Sequence, residues 1–180
     1  ESFLDLTTVV PKKIDEAGNK KIFAYIGTLG FANALDSLVD FLQDQKELNQ
    51  YLHFLFLGEG PQKSVIQKKI AHISNVTFVD RVSREEVRNY LAHVDLTYIG
   101  WHNQPLYDYG VAANKYYDYM ASATPILAAH HGINDLVQIH SCGIHVENEK
   151  EAIRQGVEKF LALSEEECKL MGEKGRKAVK

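Results

Sequence analysis

Asn114, Lys115 and Asp118 follow a glycine-marked loop and precede a small-residue turn, Pro125 and the apolar run 126–129. The segment reads as a loop, a short helix and a buried strand. Lys115 falls in the first turn of that helix, where the helix dipole disfavours a cation. A lysine there makes sense if a strong anion docks at the same end, since free backbone N–H groups also favour anions. Asp118 lies one turn beyond Asn114, so their side chains share a face. A cation, an anion-binding helix end and a hydroxyl acceptor together fit a phosphorylated, sugar-bearing ligand. A solvated helix terminus that happens to start with a lysine fits the same residues, and local chemistry leaves both readings open.

The elements that must position these residues are legible as an alternation. Apolar runs at 22–26, 52–57, 76–79, 96–99, 126–129 and 143–146 are short and bounded by turn signals, as buried strands are. Helix-like periods at 33–45, 61–72, 84–93, 114–121 and 133–140 lie between them, and 149–163 and 164–179 read as two consecutive helices. Ser83 with Glu86 and Ser164 with Glu167 form capping boxes, and Pro61 suits a first helical turn. Such alternation implies right-handed crossovers and a three-layer α/β, Rossmann-like domain: a parallel sheet of about six strands flanked by helices. Residues 1–20 are polar and irregular and read as a linker or lead-in, with the folded domain at 21–180. The chain starts abruptly at Glu1 and stops inside a helical pattern at Lys180, as a piece of something longer would.

Parallel sheets of this kind bind ligands outside the carboxyl ends of their strands, which selects the loops to inspect. After the first strand come Gly27, Thr28, Leu29 and Gly30; the glycines permit close backbone approach and Thr28 offers a hydroxyl. The spacing is neither a dinucleotide fingerprint nor a P-loop. Gly58, Glu59, Gly60 and Pro61 read either as a crevice lining with Glu59 at its rim or as a plain strand-to-helix turn. Arg81 and Val82 end a strand, where exposed backbone groups could pair with a nucleobase edge. The connection 100–113 is long for a strand-to-helix loop and holds Trp101, His102, Tyr107, Asp108, Tyr109 and Gly110; its aromatic residues either serve a ligand or plug the sheet's end. His130-His131-Gly132 lacks the paired spacing of a zinc site, and no serine occupies a nucleophile elbow.

Composition removes other classes. A net charge of −4 with no basic cluster argues against a nucleic-acid footprint. No apolar run is long enough to span a bilayer, and no signal peptide opens the chain. Cys142 and Cys168 read as two free thiols in a reducing cytoplasm rather than a disulfide scaffold.

In this order and spacing, the motifs resemble the C-terminal donor-binding domain of GT-B glycosyltransferases of glycosyltransferase family 4, from about Tyr25 onward. The resemblance rests on Tyr25-Ile-Gly-Thr-Leu-Gly30 with Leu35-Asp36, Phe56-Leu-Gly-Glu-Gly-Pro61, Asn75-Val-Thr-Phe78 with Arg81-Val82, and Tyr90-Leu-Ala-His-Val-Asp-Leu96. It also includes Asn114-Lys-Tyr-Tyr-Asp-Tyr-Met-Ala-Ser-Ala-Thr-Pro125, Asn134-Asp-Leu-Val137 and Cys142-Gly-Ile144, and it looks closest to the subgroup acting in bacterial surface-polysaccharide assembly. It implies transfer of a sugar, with retained anomeric configuration, from a nucleotide-diphosphate sugar to an acceptor hydroxyl. No metal or other cofactor is expected. The acceptor, a glycan or lipid-linked saccharide, would be met through an N-terminal domain absent from this chain, and the expected place is the cytoplasm or the cytoplasmic membrane face. The resemblance also assigns roles: Asp118 to the ribose hydroxyls, the backbone of Arg81 and Val82 to the base, and the 27–30 loop and the helix start near Asn114 to the diphosphate.

The chain departs from the family pattern in ways that bear on charge. Gly110 stands where the first glutamate of the Glu-x7-Glu pair would be, and Asp118 replaces the second. Thr28 and Asn33 stand where the family has an arginine and a lysine, so Lys115 is expected to supply one missing phosphate-neutralising charge. Asp108 or Tyr109 could replace the lost glutamate only in part. The rival readings are a sugar-nucleotide epimerase or phosphorylase on the same fold, a non-catalytic interaction module, and a flavodoxin-like domain. The last lacks an acidic pocket or flavin loop.

Overall fold

The computed structural model describes residues 17–104, 113–132 and 135–180. Six strands, β1 (Lys21–Ile26), β2 (Leu52–Leu57), β3 (Val76–Val79), β4 (Leu96–Gly100), β5 (Ile126–Ala129) and β6 (Gly143–Val146), form one parallel sheet in the order β3-β2-β1-β4-β5-β6. The helices are α1 (Asp36–Asp44), α2 (Lys63–Lys69), α3 (Arg84–Leu91), α4 (Asn114–Ala121), α5 (Leu136–His140), α6 (Lys150–Leu161) and α7 (Glu165–Ala178). The expected class, a parallel six-stranded sheet flanked by helices, is the observed one. Among the described residues no helix is long and apolar enough to cross a membrane.

Period-two alternation in the strands builds a core on each face of the sheet. Phe23 and Tyr25 of β1 point with Phe54, Phe56 and Tyr98 towards α1 and α6, meeting Leu38, Phe41, Val157 and Phe160. Ile22, Ala24 and Ile26 point the other way with Leu55, Leu57 and Ile99, meeting Tyr90, Leu91, Tyr116, Tyr119 and Val137. Each strand is therefore largely apolar, because both of its faces are covered, and the buried polar residues His53, Thr77 and Thr97 are hydrogen-bonded. Both expected capping boxes are formed, at Ser83 on α3 and Ser164 on α7.

Three helix starts differ from the sequence reading, one of them that of α5, expected from residue 133 but opening at Leu136 behind its N-cap Asp135. The first period does not run as a helix from residue 33. The chain makes a 3-10 turn at Phe31–Asn33, passes through Ala34 in a left-handed conformation (φ 43°), and enters α1 only at Asp36. Pro61 precedes α2 rather than opening it. The Gln62 N–H donates to Leu29 O (2.9 Å), so the turn belongs to the neighbouring loop before the helix begins.

Candidate functional site

The strand order reverses between β1 and β4, and there the sheet opens. Only Phe23↔Leu96 and Ala24↔Thr97 pair across these two strands, whereas β1 pairs with β2 along its whole length. The strands separate towards their carboxyl ends, leaving Ile26 without a ladder partner on the β4 side. Tyr119 of α4 takes that place: its hydroxyl accepts from Ile26 N (3.1 Å) and donates to Ile26 O (2.9 Å). A buried backbone pair is thereby satisfied, and α4 is fixed to the end of β1. Tyr116, one turn earlier, ties α4 to the other side. Its hydroxyl donates to the carboxylate of Asp135, which also binds His130 Nε2 (2.9 Å) and caps α5 through Val137 N (2.7 Å).

Fixed on both sides, α4 sends Lys115 back under the 27–30 loop. Its ammonium donates to the Tyr25 hydroxyl (2.8 Å) and to Asn33 Oδ1, and stands 4.5 Å from the Tyr25 ring centroid. Burial pushes its pKa down to about 8. Burial likewise holds the Tyr25 phenol well above its ordinary range, so it stays protonated beside the amine. Gly27 is required by this packing. It has φ +152°, and a Cβ there would lie 2.5 Å from Lys115 Cε. The N-cap of α4 is Ala113, which makes no side-chain cap, so the amino end of the helix is left for another acceptor.

The remaining candidates divide into those near this point and those elsewhere. Thr28 is exposed at the loop tip. Leu29 differs from expectation: its side chain is fully buried, its N–H donates to Glu59 O and its carbonyl accepts from Gln62. It locks two loops together and has no free donor for a ligand. Gly30 is extended rather than left-handed (φ −139°). Gly58, at φ +145°, packs its Cα against the Gly27 carbonyl, where any Cβ would collide, so its glycine serves loop-to-loop contact. Glu59 faces Lys63 (2.5 Å), which also binds Asp80 (2.5 Å), on the β2–β3 side.

Arg81 is exposed and Val82 half-buried after β3, two strands from β1, or about 10 Å at the usual strand spacing. Asn114 is exposed and Asp118 half-buried on α4, and neither side chain has a partner among the described residues. Tyr109 and Gly110, with Tyr107 and Asp108, lie outside the described residues.

The adjacent histidines His130 and His131 diverge. His130 points inward to Asp135, and His131 pairs with Glu147 (3.2 Å) at the surface. Burial is the largest single influence and opposes the His130 imidazolium, but the hydrogen bonds to Asp135 and the His131 backbone, with the charges of Asp135 and Glu147, together hold its pKa above the ordinary value. With His130 only 4% and Asp135 only 7% exposed, the pair stiffens the fold and offers no access to a substrate. His102 is a loop residue whose Nε2–H donates to Phe31 O (2.7 Å) in the turn after β1. Trp101 packs against the core on the α4 face.

Sequence reasoning assigned no site role to Tyr25, Tyr119 or Asn148, and marked Asn33 only as the place of a missing family lysine. Asn148 follows β6 and donates to Ala34 O (3.2 Å) and Trp101 O (3.1 Å), joining the loops after β1 and β4. Its carbonyl accepts from Ser37 (2.8 Å) beside a polar cleft of 160 Å³ that His102, Asn103 and Glu147 also line. A tyrosine ending a buried strand was the one signal that could have pointed to Tyr25.

An all-parallel sheet in this order, open at its switch point, defines a Rossmann-like domain of the kind paired in GT-B glycosyltransferases. The chain belongs to the glycosyl transferases group 1 family, whose model matches residues 8–178. No protein of curated function matches it.

Among solved structures it is similar to sucrose-phosphate synthase from Thermosynechococcus elongatus (19% identity, TM-score 0.68, 89% of this chain and 41% of that one). It is also similar to HepE from Anabaena, solved with UDP and glucose (12%, 0.69, 92% and 45%). A third is the C-terminal domain of LpcC, a group 1 glycosyl transferase from Francisella tularensis (13%, 0.68, 88% and 84%). The chain spans under half of the first two, and at these identities the likeness is one of fold.

Proposed function

We propose that this chain is the donor-binding half of a retaining glycosyltransferase that moves a sugar from a nucleoside-diphosphate sugar to an acceptor hydroxyl in polysaccharide or glycan synthesis. The observation that carries the reading is the Lys115 ammonium, delivered from the uncapped end of α4 to the open switch point beneath the 27–30 loop. The leaving group of such a transfer is a nucleoside diphosphate, and fixed positive potential at its departing oxygens stabilises the transition state. Lys115 and the N–H groups of α4 supply that potential without calling on a metal. Asp118, without a side-chain partner among the described residues, is assigned to the pentose, and the backbone at Arg81 and Val82 to the base. HepE, with UDP bound to the same fold, supports a nucleotide in this crevice.

Positioning of the acceptor beside the anomeric carbon falls to the part of the enzyme outside this chain. The chain alone therefore binds UDP or GDP weakly and transfers no sugar. Calorimetry on the wild type and Lys115→Ala tests this, with loss of a charge-assisted contact expected to weaken affinity about ten-fold. Unchanged affinity in the variant, binding of neither nucleotide by the wild type, or sugar transfer by the chain alone would contradict it.

A further inference from the structure

Three parts of the chain meet at the Lys115 ammonium. Tyr25, near the end of β1, accepts from Nζ through its hydroxyl and lies face-on beneath it. Asn33, in the 3-10 turn, accepts through Oδ1. Gly27 leaves the space through which the lysine passes. Both acceptors are oriented by a single carbonyl: the Tyr25 hydroxyl donates to Thr28 O (2.6 Å), and Asn33 Nδ2 donates to the same oxygen (2.8 Å). With their protons committed there, each presents an oxygen lone pair to Lys115, and only a donor fits between them. The Lys115 and Asn33 side chains thus end at neighbouring points, reached from opposite sides of the crevice.

We infer that Tyr25 and Asn33 are positioning residues that hold one ammonium at the crevice for a nucleoside diphosphate, and that the site specifies where this cation stands rather than which residue delivers it. The inference rests on the donor-binding reading above. A lysine at residue 33, approaching from the β1 side, would carry its charge to the point that Lys115 fills from α4. Among the described residues, the titratable groups around this point are the phenols of Tyr25 on β1, Tyr98 on β4 and Tyr119 on α4, and the Asp118 carboxylate one helical turn from Lys115. Burial holds all three phenols well above their ordinary range, so Lys115 is the group here that changes charge in mildly alkaline solution.

The test measures UDP, GDP and inorganic pyrophosphate binding to the 180-residue chain by calorimetry at neutral pH, with thermal melts to report folding. Lys115→Asn should lose about ten-fold in affinity, and the exchanged pair Lys115→Asn with Asn33→Lys should return to within about three-fold of wild type. Tyr25→Phe, which keeps the ring, should weaken binding and move the alkaline limb of the binding profile to lower pH, which a merely structural role would not do. A folded exchanged pair as weak as Lys115→Asn overturns the inference and leaves the donor-binding reading standing. Should the exchanged pair not fold, the Tyr25→Phe profile decides, and an unmoved limb overturns it. Binding of none of the three probes by the wild type removes both.

Discussion

Lys115 sits where two effects oppose a cation: it is largely buried, and it occupies the first turn of α4, the positive end of the helix. Its folded-state pKa of about 8 lies below that of a lysine in the unfolded chain. Between these values the unfolded chain binds the extra proton, so the lysine's burden on stability is full below about pH 8 and is relieved as pH rises. At about 1.4 kcal/mol per pH unit, that burden is on the order of 3 kcal/mol. Lys115→Met should therefore melt higher than wild type at neutral pH, with an advantage that shrinks towards about pH 10, and should lose nucleotide binding. A variant less stable at neutral pH would mean that Lys115 holds the fold together. An ammonium kept at a cost to the fold is the mark of a group retained for a ligand.

At the scale of elements, α4 is fixed from both sides by two buried tyrosines on one face, Tyr116 and Tyr119. Tyr119→Phe strands Ile26 N–H and C=O in a buried place, and at about 1–3 kcal/mol for each unsatisfied group should cost roughly 2–6 kcal/mol in urea unfolding. A loss below about 0.5 kcal/mol, the level of an ordinary surface change, would show that water replaces the phenol freely. These elements were largely legible. Each strand is a short apolar run because both faces are covered, and Ser83 and Ser164 carry their caps in local sequence. The turn at Phe31–Asn33 was not legible, because Ala34 takes a left-handed conformation that nothing in its side chain announces. Nor was the late start of α2, which depends on a hydrogen bond from Gln62 N–H to the Leu29 carbonyl of a different loop.

Over the whole molecule, the alternation of elements predicted the parallel sheet, and the open point between β1 and β4 follows from its order. The site was half legible. Lys115 stood out because its charge conflicts with its helix position, and Asp118 because it shares that helix face. Tyr25 and Tyr119 did not, and Asn33 did only as the place of a missing family lysine, because an apolar-looking tyrosine and a turn asparagine make their contacts only when β1 and α4, far apart in sequence, are brought together. In a chain of net charge −4, the Lys115 ammonium places a positive charge beneath the 27–30 loop. The most direct measurement is the titration of Lys115 by NMR of carbon-labelled lysine, with and without UDP. A midpoint near 8 in the free chain should rise by about one pH unit or more when the diphosphate binds, as an anion within a few ångström favours the charged form. A midpoint unchanged while UDP is bound would place the diphosphate elsewhere and contradict the account.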